Sequence, residues 1–306
     1  MVIVELLQNF ERDLTIRRRA KRTIQGYSQN VKAFLEYFPE PGEVDTEELE
    51  EYLEYLMLRD LSGSTLKNIF SGLSSFYEFL IYKKIVDTNP ITGFRKRYLD
   101  NVEPSERRQV PKLENVRELI KRLELILELT IVMVFAKTGI RREELLLLKP
   151  EDIDLKNKII IIERKKRAKN IIRFIDLELE FVLKEYLSWR ESRVEIGKCK
   201  SPYLFITEHG GRIHKDDINE FIQYHAENIG FHDPDPDAPL EKKMSTHCFR
   251  GFVTTYLRRK GMKGEHIQTL LGHTIKKEVW SGFYLDIDME LVKEEYFRCS
   301  PPLLVY

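Results

Sequence analysis

Two runs of β-branched residues interrupt a chain whose apolar residues otherwise recur mostly at helical spacing. The runs "KNKIIIIE" and "NIIRFIDL" flank the basic turn "RKKRAK" at residues 164–169. Short β-branched runs on either side of a polar turn favour an antiparallel hairpin. The chain is therefore expected to be mainly α-helical, with one small antiparallel β-hairpin or sheet.

A polar segment divides the helical pattern into two predicted domains. Residues 1–95 contain amphipathic stretches such as "TIQGYSQNVKAFLEYF" and "DTEELEEYLEYLMLRD", which predict a bundle of four or five short helices. Residues 96–112 are polar, contain two prolines and predict a linker. Residues 113–306 hold the hairpin and further helices, and a chain of 306 residues suits two domains of ordinary size.

Charge is balanced overall but segregated along the chain. The 50 Lys and Arg residues equal the 50 Asp and Glu residues, so net charge gives no indication of a nucleic-acid partner. Basic clusters occupy residues 15–22 and 164–169, whereas residues 40–54 carry acidic side chains and no basic one. This segregation suits a protein that binds a polyanion through some of its faces, although solvated helix surfaces are the alternative for either cluster alone.

Several classes of protein are disfavoured by simple absences in the sequence. No apolar run approaches about 18 residues, so no membrane span is expected. The three cysteines are far apart and odd in number, which argues against a disulfide framework and favours the cytoplasm. Neither a CxxC nor an HExxH motif occurs, so no metal site and no cofactor are expected.

The stretch "STHCFRGFVTTYLRRKG" (245–261) predicts an amphipathic helix with an unusual first turn. His247, Cys248 and Arg250 would suit a metal site, a cysteine–histidine nucleophile or an anion site. His247 and Arg250 are three residues apart and share a helix face, close to the free amides of the helix start. The arginine disfavours a metal ion, and Cys248 faces away from His247. An anion site is therefore favoured, with Cys248 buried or a bystander.

Three further segments carry polar residues at helix ends and turns. "AKTGIRREELLLLKPEDID" places Gly139 before a helix, Arg141 in its first turn and Glu144 three residues later, where it can hold the guanidinium. "LLGHT" places His273 just after a helix stop, and "VWSGFYLD" presents Tyr284 before a last helix. Taken singly, the arginine could be a surface residue, the histidine a helix cap and the tyrosine a core aromatic.

Taken together, the order and spacing of these segments resemble the tyrosine recombinase (phage integrase) family over nearly the whole chain. "TGIRREELLLLKPEDID" resembles the family's first-arginine box, and "HCFRGFVTTYLRRKGMKGEHIQTLLGHT" resembles its HxxR box running into its Leu-Gly-His box. Residues 1–95 resemble its helical, SAM-like core-binding domain, and residues 113–306 its catalytic domain. The resemblance implies a site-specific recombinase that cleaves and rejoins DNA strands through a 3′-phosphotyrosyl intermediate and a Holliday junction.

The resemblance also assigns roles to single residues. The arginines would bind the scissile phosphate, the histidines would complete the clamp and assist proton transfer, the lysine would protonate the leaving 5′-oxygen, and the tyrosine would attack. The implied catalytic residues are Arg141, Lys165, His247, Arg250, His273 and Tyr284, with Glu144 in support and Lys166 as the alternative lysine. The basic clusters are expected to bind DNA through Arg17, Arg18, Arg19, Lys21, Arg22, Arg164, Lys166 and Arg167.

The implied partners are double-stranded DNA and, on DNA, three further copies of the chain in a homo-tetramer; a monomer or dimer is expected without DNA. Two departures from the family pattern stand out. Gly251 occupies the place of a second histidine that usually follows the second arginine, and the spacing from His273 to Tyr284 is longer than the commonest one. Tyr296 and Tyr306 are the rival nucleophiles, of which Tyr296 is better explained as a core residue.

Two other functions stay open at this point. A type IB topoisomerase-like enzyme would use a similar constellation to relax DNA one strand at a time. A helical DNA-binding regulator would use "GFVTTYLRRKGMKGEHIQTLLG" as a helix-turn-helix, and it would leave Arg141, the hairpin lysines and Tyr284 unexplained.

Overall fold

The computed structural model describes residues 3–59, 61–100, 108–163, 170–272 and 288–304. The chain divides into two compact units, residues 1–106 and 107–306. Within the described residues the fold is mainly helical, with one small antiparallel sheet, as predicted.

Over its described residues, the first unit is a bundle of five helices. They are α1 (Ile3–Ile16), α2 (Lys21–Tyr37), α3 (Thr46–Met57), α4 (Gly63–Tyr82) and α5 (Pro90–Tyr98). Local signals set the helix starts: Asp45 accepts a hydrogen bond from the Glu48 amide while Glu48 accepts one from the Asp45 amide, which forms a capping box. Aromatic side chains dominate the core, and the Phe10 and Phe76 rings meet edge to face with centroids 5.3 Å apart.

Helix α5 continues into the segment that the sequence predicts as linker. Pro90 is its first residue, and the Asn89 side chain caps the helix by accepting a hydrogen bond from the Ile91 amide. Phe94 is buried and stacks on Phe70 at 5.3 Å. Burial of this ring is what makes the polar stretch around it helical.

The second unit is built around one helix that is buried over most of its length. Its helices are α6 (Leu113–Lys121), α7 (Ile126–Thr138), α8 (Arg142–Leu147), α9 (Leu177–Glu195), α10 (Lys215–Glu227), α11 (Thr246–Arg259), α12 (Gly264–Leu271) and α13 (Met289–Cys299). All residues of α7 from Thr130 to Thr138 are buried, because α9, α10 and α11 all pack against it. Helix α7 is therefore held by packing on several sides, which fixes the position of the turn that follows it.

The predicted hairpin forms two of the three strands of the sheet. Strand β1 (Ile153–Asp154) pairs with β2 (Ile159–Ile162), and β2 pairs with β3 (Ile171–Phe174), all antiparallel. Ile162 is opposite Ile171, so the two strands end on either side of residues 164–169, which lie outside the described residues. The short β1 was not predicted, because two residues give no alternation to recognise.

Candidate active site

The turn between α7 and α8 presents Arg141. Helix α7 ends at Gly139, which has a φ of 61° and so takes the left-handed conformation that favours glycine. A Cβ at this position would lie 2.9 Å from Leu271 Cδ2, so the Leu271 side chain would have to shift to make room for it. Arg141 then precedes α8, and Glu144 accepts from its backbone amide at 3.0 Å and from its Nη1 at 2.9 Å. Glu144 thus holds Arg141 as the sequence predicts.

Arg250 ties this turn to the end of α12. Its Nη1 donates to the Gly139 carbonyl oxygen and its Nη2 to the Leu271 carbonyl oxygen, each at 2.7 Å. Burial and the neighbouring charge of Arg141 lower the pKa of Arg250 to about 10, which still leaves it cationic at neutral pH. The second arginine of the site therefore also holds two chain segments together.

His247 lies on the first turn of α11 and completes this cluster. Its ring is partly covered, and its pKa is lowered first by this burial and then by the positive charges of Arg108, Arg250, Arg141 and Arg142. The ring is therefore mostly neutral near pH 7. Four arginine charges thus act on one imidazole, and two of them are paired with carboxylates, Arg141 with Glu144 at 2.9 Å and Arg142 with Glu143 at 3.4 Å. The positive charges exceed the negative ones, which favours an anion.

Two of these arginines were not predicted from the sequence. Arg142 directly follows Arg141, and Arg108 lies in the predicted linker, 139 positions before His247 in the sequence numbering. The signal for Arg142 was its place in the box "GIRREE"; for Arg108 there was none, because nothing in the linker pattern indicates where it packs.

Cys248 is buried and has no part in the cluster. Its Sγ lies 3.5 Å from the Lys243 carbonyl oxygen and 3.5 Å from Ser245 Oγ, on the inner side of α11. Within the described ranges, no group of three or more His, Cys, Asp or Glu side chains is arranged to hold a metal ion.

Tyr296, one rival for the nucleophile, is a core residue. It is 2% exposed, and its hydroxyl donates to the Lys137 carbonyl oxygen at 3.1 Å. Burial raises its pKa above the ordinary tyrosine value, which disfavours the phenolate that an attack on phosphorus requires. The predictions for Lys165, His273, Tyr284 and the rival Tyr306, and for the DNA-binding residues Arg164, Lys166 and Arg167, fall outside the described residues.

The basic cluster of the first unit lies at the junction of α1 and α2. Arg17 is partly engaged, with Nη1 3.4 Å from Asp13 Oδ2 and Nη2 3.6 Å from Glu78 Oε2. The remaining basic side chains of the cluster are exposed: Arg18, Arg19, Lys21 and Arg22. They are available to an external polyanion.

Comparisons with known proteins agree with this architecture. The model of the phage integrase family matches residues 109–290, and that of the phage integrase N-terminal SAM-like domain matches residues 6–87. A tyrosine recombinase of Pseudothermotoga lettingae is 26% identical, covering 88% of this chain and 90% of the relative. Tyrosine recombinase XerC of Pelotomaculum thermopropionicum is 22% identical, covering 96% of this chain and 97% of the relative.

Solved structures show the same fold. The Tn1549 transposon integrase in complex with transposon right-end DNA has a TM-score of 0.71 at 17% identity, covering 96% of this chain and 98% of its own. A lambda integrase tetramer bound to a Holliday junction has a TM-score of 0.68 at 14% identity, covering 97% of this chain and 78% of its own.

The fold and the paired-arginine anion site define an enzyme of the integrase class, with a helical bundle preceding its catalytic unit. Since the family model covers most of the second unit and more than half of the chain, the protein belongs to the phage integrase family.

Proposed function

We propose that this chain is a site-specific DNA recombinase that cleaves and rejoins strands through a 3′-phosphotyrosyl intermediate. The observation that carries the proposal is the convergence of Arg141, His247 and Arg250, which come from two distant segments of the chain. Positive charge exceeds negative charge where they come together. A phosphodiester is the anion that an integrase-type site binds, and the phosphorane-like transition state carries more negative charge than the ground state.

The two family arginines have matching roles in this proposal. Planar guanidiniums bind the non-bridging oxygens of phosphate in a geometry that a lysine cannot match. Arg141 is oriented by Glu144 and Arg250 by two carbonyl oxygens, so both cations are in place before DNA arrives. Preorganised charge of this kind lowers the barrier because it needs no rearrangement during the reaction.

We assign the attack to Tyr284, on the resemblance of its position to the family nucleophile. Its phenolic oxygen forms the new bond to phosphorus while the bond to the 5′-oxygen breaks. Tyrosine has a pKa of about 10 in model compounds, so its proton needs an acceptor. His247, neutral near pH 7, or His273 can take that proton. Lys165, with Lys166 as alternative, would protonate the leaving 5′-oxygen.

Rejoining is the same chemistry in reverse. The 5′-hydroxyl of another strand attacks the phosphotyrosine, the bond to Tyr284 breaks, and the phosphodiester is restored. One phosphoester bond replaces another at each step, so no energy source is required. Exchange of both strand pairs proceeds through a Holliday junction.

Duplex DNA is the proposed partner, held through phosphate contacts of the two basic clusters. On DNA we propose a homo-tetramer, supported by the similarity to the lambda integrase tetramer on a Holliday junction. No helix among the described residues is long and apolar enough to cross a membrane. We propose that the protein acts in the cytoplasm, where its DNA substrate lies.

The test is trapping on a nicked suicide duplex, in which the released oligonucleotide diffuses away and leaves the covalent adduct. The wild-type chain should give a protein–DNA adduct that resists denaturant, and Tyr284→Phe should not. Tyr296→Phe is the matched control, because it removes the same hydroxyl from a buried tyrosine of the same unit.

The outcomes separate the possible functions. An adduct that persists in Tyr284→Phe would refute the assignment of the nucleophile. Relaxation of any supercoiled plasmid without exchange between two sites would indicate a topoisomerase. Specific DNA binding with no adduct on any site-bearing duplex would indicate a regulator.

A further inference from the structure

Residues 108–112 run alongside the first turns of α11. The Gln109 amide donates to the Leu240 carbonyl oxygen at 3.3 Å, and the Pro111 side chain is buried. The Lys112 amide donates to Asn115 Oδ1 at 3.0 Å, where α6 begins. The segment is thus anchored to the catalytic unit on the carboxyl side of Arg108.

Gly251 lies against this segment and leaves room for the Val110 side chain. A Cβ built on Gly251 would lie 3.2 Å from Val110 Cγ2 and 3.8 Å from Val110 Cγ1. Glycine inside a helix costs about 0.5–1 kcal/mol relative to alanine, so its presence calls for a steric reason. The Val110 side chain occupies the space into which a larger residue at position 251, such as the histidine usual in the family, would project.

Arg108 lies two residues before Val110 and is exposed. No hydrogen bond or ion pair joins its guanidinium to any residue that the structure describes. Of the four arginine charges that lower the pKa of His247, that of Arg108 acts most strongly, ahead of Arg250, Arg141 and Arg142. The segment that fills the space beside Gly251 therefore also brings a positive charge to the imidazole of the site.

We propose that Arg108 is a further phosphate-binding residue of the active site, delivered to the DNA backbone at the cleavage position by the segment that packs against Gly251. Its guanidinium supplies donors and positive charge on the side of α11 where the second histidine is missing. The matched family region starts at residue 109, so Arg108 lies outside it. This inference rests on the proposed function, because it needs a phosphate in the site.

The role predicts a loss of cleavage rate without a matching loss of affinity. Removing one preorganised donor from an oxyanion-type site costs about 10²–10³ in rate, and an exposed arginine is less preorganised than that. We expect Arg108→Ala to form the adduct about tenfold more slowly at saturating duplex, with Arg108→Lys intermediate. Arg259→Ala is the matched control, since Arg259 is also an exposed arginine but lies in the last turn of α11, at the opposite end from His247.

Three measurements test the proposal. The first is the single-turnover rate of adduct formation, together with the Kd for duplex DNA at one fixed salt concentration. The second repeats the rate on a duplex whose scissile phosphate is a neutral methylphosphonate; there the wild-type and Arg108→Ala rates should converge. The third is the pKa of His247 by NMR without DNA, which should rise in Arg108→Ala and stay unchanged in Arg259→Ala.

Equal effects of Arg108→Ala and Arg259→Ala on the rate would overturn the proposal, as would a rate loss that persists in full on the methylphosphonate. An unchanged pKa of His247 would show that Arg108 is not at the site at all. If the wild-type chain forms no adduct, the proposed function fails; the NMR result still decides whether Arg108 and His247 are neighbours.

Discussion

Lys137 is a buried cation whose removal should destabilise the catalytic unit severely. The residue is 1% exposed, and its Nζ lies 2.6 Å from Asp176 Oδ2, 2.5 Å from Glu178 Oε2 and 2.5 Å from the Pro301 carbonyl oxygen. Lys137→Met keeps a long unbranched side chain but leaves two carboxylates facing each other without a cation. Breaking a buried pair in this way costs about 3–5 kcal/mol.

The carboxylates cannot easily rotate away to reduce this cost. Asp176 Oδ1 accepts from the Leu179 amide, and Glu178 accepts from the Leu303 and Leu304 amides. We therefore expect the upper half of the range. For a unit of this size each kcal/mol lowers Tm by about 2–4 °C, so the loss should be on the order of 10 °C.

The assay is thermal unfolding of the full chain, with the transition of the catalytic unit followed separately from that of the helical bundle. Lys184→Met is the control, because the Lys184 side chain is 58% exposed and its partner Glu180, 2.6 Å away, keeps Lys158 as a second cation at 3.4 Å. The loss should therefore be about 0–1 kcal/mol. Adding Asp176→Asn and Glu178→Gln to Lys137→Met should restore part of the stability, since no unpaired charge would remain. A loss below about 1 kcal/mol in Lys137→Met, similar to that in Lys184→Met, would refute the reasoning.

Two other substitutions test the surroundings of the site. Tyr296→Phe removes one buried hydrogen bond to the Lys137 carbonyl oxygen, so chemical denaturation should show a loss of about 1 kcal/mol in the free energy of unfolding. Adduct formation should be retained. Loss of the adduct would make Tyr296 a candidate nucleophile again. Gly139→Ala places a Cβ 2.9 Å from Leu271 Cδ2, on a residue whose φ is 61°. It should lower the free energy of unfolding by about 1–3 kcal/mol. It should also slow cleavage, because a shift of the Gly139 carbonyl would disturb the Arg250 guanidinium that donates to it. Unchanged stability in this variant would contradict the close packing of the turn.

Local patterns predicted the elements well because their causes are local. The capping box of Asp45 and Glu48 and the paired isoleucine runs act within a few residues of the positions they define. The shared face of His247 and Arg250 follows in the same way from helical spacing. The local pattern ends the helical domain at residue 95, whereas α5 continues to Tyr98. Tertiary burial explains the difference, because Phe94 stacks on Phe70 from another helix.

Contacts over long sequence distances gave no such signal. Lys137 stands at the end of an apolar helix, and its partners are Asp176, Glu178 and Pro301, up to 164 residues away. The segment that carries Arg108 is likewise placed by contacts with distant residues, among them the packing of Val110 on Gly251 and the hydrogen bond from Gln109 to Leu240. Such residues look like surface charges until the fold brings their partners to them.

Arg250 carries a consequence for tracing the descent of chains like this one. Its guanidinium donates to the Gly139 and Leu271 carbonyl oxygens, so a lineage that abandoned DNA cleavage would still lose stability by replacing it. Retention of this arginine in a decayed copy is therefore weak evidence of activity. Loss of His247, whose side chain makes no hydrogen bond to the backbone of any described residue, would be the earlier sign of decay.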